Sequence, residues 1–203
     1  MTCARGVIEK EYTFQVYDER IDKTISFRKA TLERDLGRLH RWLNEPHVKP
    51  YWERDYPLPK FRKYLEDTLV DDHHTPYIGY LDHVPMSYWE AYWSVDDKLS
   101  AEYDARAADR GIHLLIGPPE FLGHGYATPL LEAMTRLQFQ HSETNRIVSE
   151  PDIRNKRVHR VFENCGFKPD REIELESKDA LLMICNRERF ETEILSHRRT
   201  NNE

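Results

Sequence analysis

One stretch of the chain constrains its fold more than any other. A short apolar run, Ile112-His113-Leu114-Leu115-Ile116, stops at Gly117-Pro118-Pro119, and a glycine-bearing turn then leads into a helical pattern over about residues 123–140. An apolar run of that length bounded by turn signals reads as a buried strand. Strand, glycine turn and helix in that order indicate an α/β arrangement. The turn, with Gly123 and Gly125 inside it, can direct backbone N–H groups toward one anionic group, helped by the positive end of the helix dipole. It is not a P-loop, because His124 follows Gly123 where that motif needs Lys. It also lacks the early strand–turn–helix setting of a dinucleotide site. A connection that merely lets strand and helix pack tightly would share these glycines.

The rest of the chain supplies partners for that unit. Residues 24–28 alternate as a strand does, and Leu32, Leu36, Leu39 and Leu43 form the stripe of an amphipathic helix entered from Thr31. A second helix starts at Pro59 and turns Phe61, Leu65 and Leu69 inward. Residues 77–81 and 86–95 read as a hairpin around Asp82-His83. A strand near 146–148, a helix over 155–165, strands at 167–173 and 180–185, and a short helix over 187–195 complete the pattern. This order predicts an α/β sandwich around one mixed sheet, with residues 1–23 as an N-terminal arm or edge strand and 24–203 as a single domain. With 203 residues, 39% of them hydrophobic, one core is the expectation.

Composition narrows the function. No apolar run is long enough to cross a membrane, and the opening residues lack the apolar core of a signal peptide. Cys3, Cys165 and Cys185 are odd in number and widely spaced, which argues for a reducing, cytoplasmic setting and against a disulfide framework or zinc site. The net charge of −6 is spread along the chain, and the basic cluster at 197–199 sits in the tail, so nucleic acid is not an expected partner. His73 and His74 lie beside Asp71 and Asp72 without a second pair at ligand spacing, and no metal is expected.

A second pattern follows the glycine turn. Asn155, Val158, Phe162 and Gly166-Phe167 have the spacing Asn-x-x-small-x-x-x-aromatic-x-x-x-Gly-Phe. Over about residues 111–167 the two motifs together resemble the acyl-CoA-binding half of the GNAT acetyltransferases. The resemblance implies a GNAT fold with an acyl-CoA co-substrate. Leu122, Gly123, His124, Gly125, Tyr126 and Ala127 would supply amides to the pyrophosphate. Asn155 and Phe162 would lie at the pantetheine arm, and the strand carrying Leu115 and Ile116 would run along it. Many members have Tyr at the position of Phe162, where its hydroxyl protonates the leaving thiolate. Phe162 cannot do so, and His113 and Asp152 are the alternative candidates. If their strand ends are neighbours, a carboxylate can fix the imidazole tautomer while the other ring nitrogen faces the amine. A core histidine and a helix-capping aspartate are the ordinary readings of the same residues.

Four further segments, 41–48, 89–93, 109–117 and 150–155, resemble the siderophore-biosynthesis acyltransferases of aerobactin, alcaligin, desferrioxamine, rhizobactin and mycobactin assembly. That resemblance implies catalytic roles for His113 and Asp152. It places Trp42, Asn44 and His47 at the acceptor pocket, with Glu90 and Trp93 as wall residues, although strand alternation also suits the aromatics to a core. The acceptor it implies is N6-hydroxylysine or an N-hydroxydiamine, acylated by acetyl- or succinyl-CoA. Transfer would be direct, within a ternary complex, in a monomer or homodimer. Backbone N–H groups near Leu115 would stabilise the oxyanion if that strand bulges. Cys165 and Cys185 have no marked histidine partner for nucleophilic work. Aminoglycoside or protein amino groups are the alternative acceptors, and a non-catalytic acyl-CoA-binding module is the alternative class.

Overall fold

The computed structural model describes residues 11–196, so Cys3 and the basic cluster at 197–199 lie outside the described residues. Its strands are β1 (Phe14–Asp18), β2 (Lys23–Lys29), β3 (His74–Leu81), β4 (Val84–Trp93), β5 (Arg110–Ile116), β6 (Arg146–Ser149), β7 (Lys168–Glu174) and β8 (Asp179–Asn186). They form one sheet in the order β1-β2-β3-β4-β5-β6-β8-β7, with β1 paired along β2 at one edge. Only β5 and β6 run parallel, so the sheet is mixed, as the element order predicts.

Helices cover both faces. The hydroxyl of Thr31 caps α1 (Leu32–Leu43) by accepting from the Arg34 amide, and Leu39, Trp42 and Leu43 turn inward. A buried ion pair ties this helix to β2: both terminal nitrogens of Arg28 donate to Asp35 at 2.7 Å, and the Thr31 amide and Arg38 also donate to that carboxylate. A short helix, α2 (Lys49–Trp52), precedes α3 (Leu58–Val70), whose Phe61 and Leu65 are buried against α1 and the sheet residues Ile78, Tyr88 and Leu115. The opposite face carries α4 (Ala127–Gln138) and α5 (Lys156–Asn164), packed over Trp89 and Ile112. Beyond β8, α6 (Arg187–Arg189) widens into a further turn at Phe190–Leu195, whose Phe190 joins that core.

Two departures from the sequence pattern have local causes. The α4 helix begins at Ala127 rather than near 123 because Gly123 and Gly125 take φ of +80° and +78°, outside the helical region. The α2 helix is too short to show a period.

Parallel pairing between β5 and β6 is confined to Arg110↔Ile147 and Gly111↔Val148. The Ser149 hydroxyl then donates to the Ile112 carbonyl at 2.8 Å, and beyond it the strands part into a wedge. Successive peptide groups of a strand face opposite neighbours. With the Ile112 carbonyl facing β6, the peptide groups of Leu114 and Ile116 line the open edge, and those of His113 and Leu115 face β4.

Candidate active site

The wedge opens into a cavity of about 760 Å³. Leu114, Asn155, Val158 and Phe162 line its inner part, and Trp52 and Tyr64 are on its wall. At its floor is a buried charged cluster. The β4–β5 register sets Glu90 directly opposite His113 and Tyr92 opposite Gly111. His113 Nδ1 lies 3.3 Å from Glu90, and its Nε2 hydrogen-bonds Glu150, the residue after β6. The other Glu90 oxygen accepts from the hydroxyls of Tyr64 and Tyr88, each at 2.9 Å. Tyr92 donates to Glu150 at 2.9 Å, and its oxygen is 3.4 Å from His113 Nε2. Gly111 makes this possible: a Cβ there would lie 2.0 Å from the Tyr92 ring, so any side chain would push the tyrosine off the strand.

Charge in this cluster is fixed by proximity. Burial alone would strip the proton from His113, but Glu150 and then Glu90 outweigh it and raise the imidazole pKa to about 10. Burial would likewise protonate the two glutamates, yet the imidazolium, then Lys178 for Glu150 and His74 for Glu90, and last the tyrosine hydroxyls hold each at about 2. The unit is therefore a carboxylate–imidazolium–carboxylate triad with a net charge of −1 at neutral pH.

This geometry corrects the expected pairing of His113 with Asp152. The Asp152 carboxylate accepts from Arg154, through Nε, a terminal nitrogen and the amide, and its backbone bridges to Ala180. Asp152 still lines the cavity, but Glu150, two residues earlier, is the group on the imidazole. Nor is His113 a free base in this state, because both ring nitrogens face carboxylates.

The remaining expected residues divide between cavity and core. Asn155 and Phe162 line the cavity; the Asn155 side chain also caps α5 by accepting from the Val158 amide, and Phe162 packs edge-on against Phe167. Glu90 lines the cavity. Trp93 does not, because alternation along β4 turns it away, under the Arg110 guanidinium at 4.1 Å. Trp42 is buried, with its ring where a Gly117 Cβ would stand. Asn44 ends α1 by donating to the His40 carbonyl, and His47 Nε2 lies 2.9 Å from the Ile116 carbonyl. None of these last three is on the cavity wall. The β4–β5 register runs without a shift, so no bulge frees Leu115, whose side chain is buried; the Leu114 and Ile116 amides face the wedge instead. Gly123, His124 and Gly125 form an open turn before α4, with room beside both glycines and with His124 stacked on Tyr126. Among the described residues the amides of 123–125 donate to no backbone carbonyl.

Cys165 and Cys185 are buried free thiols whose pKa values burial pushes up, Cys185 to about 12, so neither is a thiolate nucleophile. Asp71 joins His73 and His74, already neighbours in the sequence, in a group whose candidate ligand atoms lie within 4.8 Å of one another. The Asp71 carboxylate there lies 2.5 Å from His73 and 3.6 Å from His74. Sequence reasoning passed over Tyr64, Tyr92 and Glu150, although Glu150 stands in the same Glu-Pro-Asp segment as Asp152.

The GNAT acetyltransferase domain model matches residues 31–175. The chain belongs to that family. This GNAT chain is 34% identical over 182 residues to the N(6)-hydroxylysine O-acetyltransferase of Escherichia coli, covering 89% of the chain and 58% of that protein. It therefore spans little more than half of that relative. It is 32% identical over 165 residues to the N-hydroxyputrescine acetyltransferase of Acinetobacter baumannii, covering 81% and 79% of the two chains. Among solved structures, an uncharacterized Bacillus halodurans protein superposes with a TM-score of 0.87 at 46% identity, covering 90% of this GNAT chain and 94% of the other. Aminoglycoside acetyltransferase AAC(6')-Ib in complex with coenzyme A superposes at 0.75 with 30% identity, covering 82% and 97%. Among the described residues no helix is long and apolar enough to cross a membrane.

Proposed function

We propose that this GNAT chain transfers an acetyl or succinyl group from coenzyme A to the hydroxylamino nitrogen of an N-hydroxylated amine, giving a hydroxamate for siderophore assembly. The observation that carries this reading is the His113 triad, set at the point where the β5–β6 wedge meets the cavity. The relatives named for hydroxylysine and hydroxyputrescine support the acceptor class.

The chain's groups suit such a reaction. The positive-φ turn at Gly123 and Gly125 leaves amides available for a pyrophosphate at the start of α4. Asn155, Val158 and Phe162 line a channel for the pantetheine arm, and the open-edge amides of Leu114 and Ile116 are placed to receive its polar groups or a developing oxyanion. The bound thioester supplies the activated acyl carbon. A hydroxylamino nitrogen is uncharged near neutrality, so it can attack without first losing a proton. In the step, the N–C bond forms and the C–S bond breaks. As Glu150 accepts the proton released by nitrogen, it lets go of the His113 Nε2 proton, which the imidazolium passes to the departing sulfur. That assignment fills the role for which Phe162 lacks a hydroxyl, and it replaces the base role expected for His113. Asp152 holds the loop after β6 through Arg154, which also reaches the Pro50 carbonyl at 3.1 Å. Residues 24–203 act as one catalytic domain in the cytoplasm, as a monomer or homodimer, with small-molecule substrates.

The test is thiol release from acetyl-CoA with N-hydroxyputrescine, N6-hydroxylysine, putrescine and kanamycin, alongside ferric-hydroxamate colour. Hydroxylated acceptors should give both signals. Thiol release without the colour would mean O-acylation or hydrolysis, and activity confined to kanamycin would overturn the reading. The aminoglycoside arm is included because carboxylates outnumber Lys and Arg side chains by eight to three on the cavity wall, which suits a polycation.

A further inference from the structure

The three Lys and Arg side chains on the cavity wall are not equivalent. Lys98 donates to Glu176 at 2.8 Å, and Lys178 lies 3.8 Å from Glu150. Arg54 has no carboxylate within ion-pair distance among the described residues. Its guanidinium is half-buried, 5.2 Å from the centre of the Tyr64 ring, with one terminal nitrogen 3.4 Å from the Tyr56 hydroxyl. Tyr64 in turn donates to Glu90, so Arg54 stands one residue removed from the His113 triad and on the same wall.

An arginine held by stacking, facing a cavity and lacking an acid, is a pre-organised receptor for a planar anion. Its fork of donors matches a carboxylate in two parallel hydrogen bonds, and the stacked ring has already removed much of its rotamer freedom. Leaving it without an anion carries a desolvation cost that a bound carboxylate would relieve. The surrounding wall is acidic, which repels a bare anion but tolerates a molecule that carries an ammonium group as well.

We propose that Arg54 is a specificity residue that receives a carboxylate of the reacting substrates. Resting on the acyl-transfer reading above, it makes one of the two partners carboxylate-bearing. Either the acceptor is a zwitterionic hydroxylated amino acid rather than a plain hydroxydiamine, or the acyl group is a dicarboxylic one. Both sources present the same group to the same guanidinium, and the experiment separates them.

Wild type, Arg54→Gln and Arg54→Lys are assayed by hydroxamate formation with the four combinations of acetyl- or succinyl-CoA and N6-hydroxylysine or N-hydroxycadaverine. Folding of each variant is checked by thermal melting. Loss of a bidentate charged contact lowers kcat/KM for the carboxylate-bearing combination at least about tenfold more than for acetyl-CoA with N-hydroxycadaverine. Lysine restores only part of the difference. If the differential loss follows hydroxylysine, the acceptor is the source; if it follows succinyl-CoA, the acyl group is. An equal loss in all four combinations, or no wild-type preference for any carboxylate, overturns the role of Arg54. Absence of hydroxamate in every wild-type combination defeats the acyl-transfer reading instead. In that event, calorimetric titration with N6-hydroxylysine and with glutarate still decides on Arg54: weaker binding of either to Arg54→Gln supports it, and equal binding removes it.

Discussion

The turn before α4 and the floor of the cavity meet different requirements by different means. At Gly123 and Gly125 the chain offers main chain: two left-handed glycines, open space beside them and the start of a helix. Around His113 it offers side chains collected from β4, β5, α3 and the segment after β6, each holding the next. A backbone site depends on where the chain can bend. A side-chain site depends on register, and a slip of one residue turns all its members to the opposite face. Damage to the first should therefore weaken grip on one ligand, whereas damage to the second should stop chemistry while leaving that grip intact.

Glu150→Gln tests the contrast most severely. It keeps the shape of the side chain and removes the charge that holds the His113 proton, so kcat should fall by about 10²- to 10⁴-fold while coenzyme A affinity in calorimetry is retained. A parallel loss of coenzyme A binding would erase the distinction between the two sites. Gly125→Val comes next. A branched side chain at φ of +78° is strained by about 1–2 kcal/mol, which predicts roughly a tenfold rise in KM for acyl-CoA with kcat little changed. Asp152→Asn should cost about fivefold in kcat or less, because its Arg154 partner is 64% exposed and such pairs contribute little. A loss as deep as that of Glu150→Gln would return Asp152 to the chemistry.

The smallest effect is on stability against pH. The His113 pKa is raised from 6.5 to about 10, so its contribution is complete below pH 6.5 and fades as pH climbs toward 10. Glu90 and Glu150 are lowered from 4.5 to about 2, so theirs is complete above pH 4.5 and fades as pH falls toward 2. The melting-temperature advantage of wild type over His113→Gln should then be greatest between pH 4.5 and 6.5 and shrink on both sides. An advantage that grew above pH 7 would show that the imidazole is neutral in the native protein.

The same contrast explains what the sequence disclosed. Helix α1 was readable because Thr31 and the leucine stripe are local signals, and the glycine turn because its φ angles need glycine. The mixed sheet followed from element order. The triad was readable only in part. His113 and Glu90 stand out as polar residues in apolar strands, but that they face each other is a matter of register between β4 and β5, which a connection of some sixteen residues separates in sequence. Choosing between Glu150 and Asp152 requires knowing which way the chain turns after Ser149, where the Asp152 backbone pairs with Ala180 and its carboxylate with Arg154. Trp93 misled because an aromatic on either face of β4 reads the same in one dimension. Tyr64 and Arg54 come from a helix and a loop far away in sequence, and no periodicity announces them.

The brevity of the β5–β6 ladder reaches beyond binding. Two residue pairs and one serine hydroxyl join the leaf β1–β5 to the leaf β6–β8–β7 through the sheet itself. A ligand laid in the wedge would act as a missing rung, stitching the leaves by hydrogen bonds that neither strand can offer the other. Occupancy should thus slow hydrogen exchange at Leu114 and Ile116 and make the two leaves melt more nearly as one body.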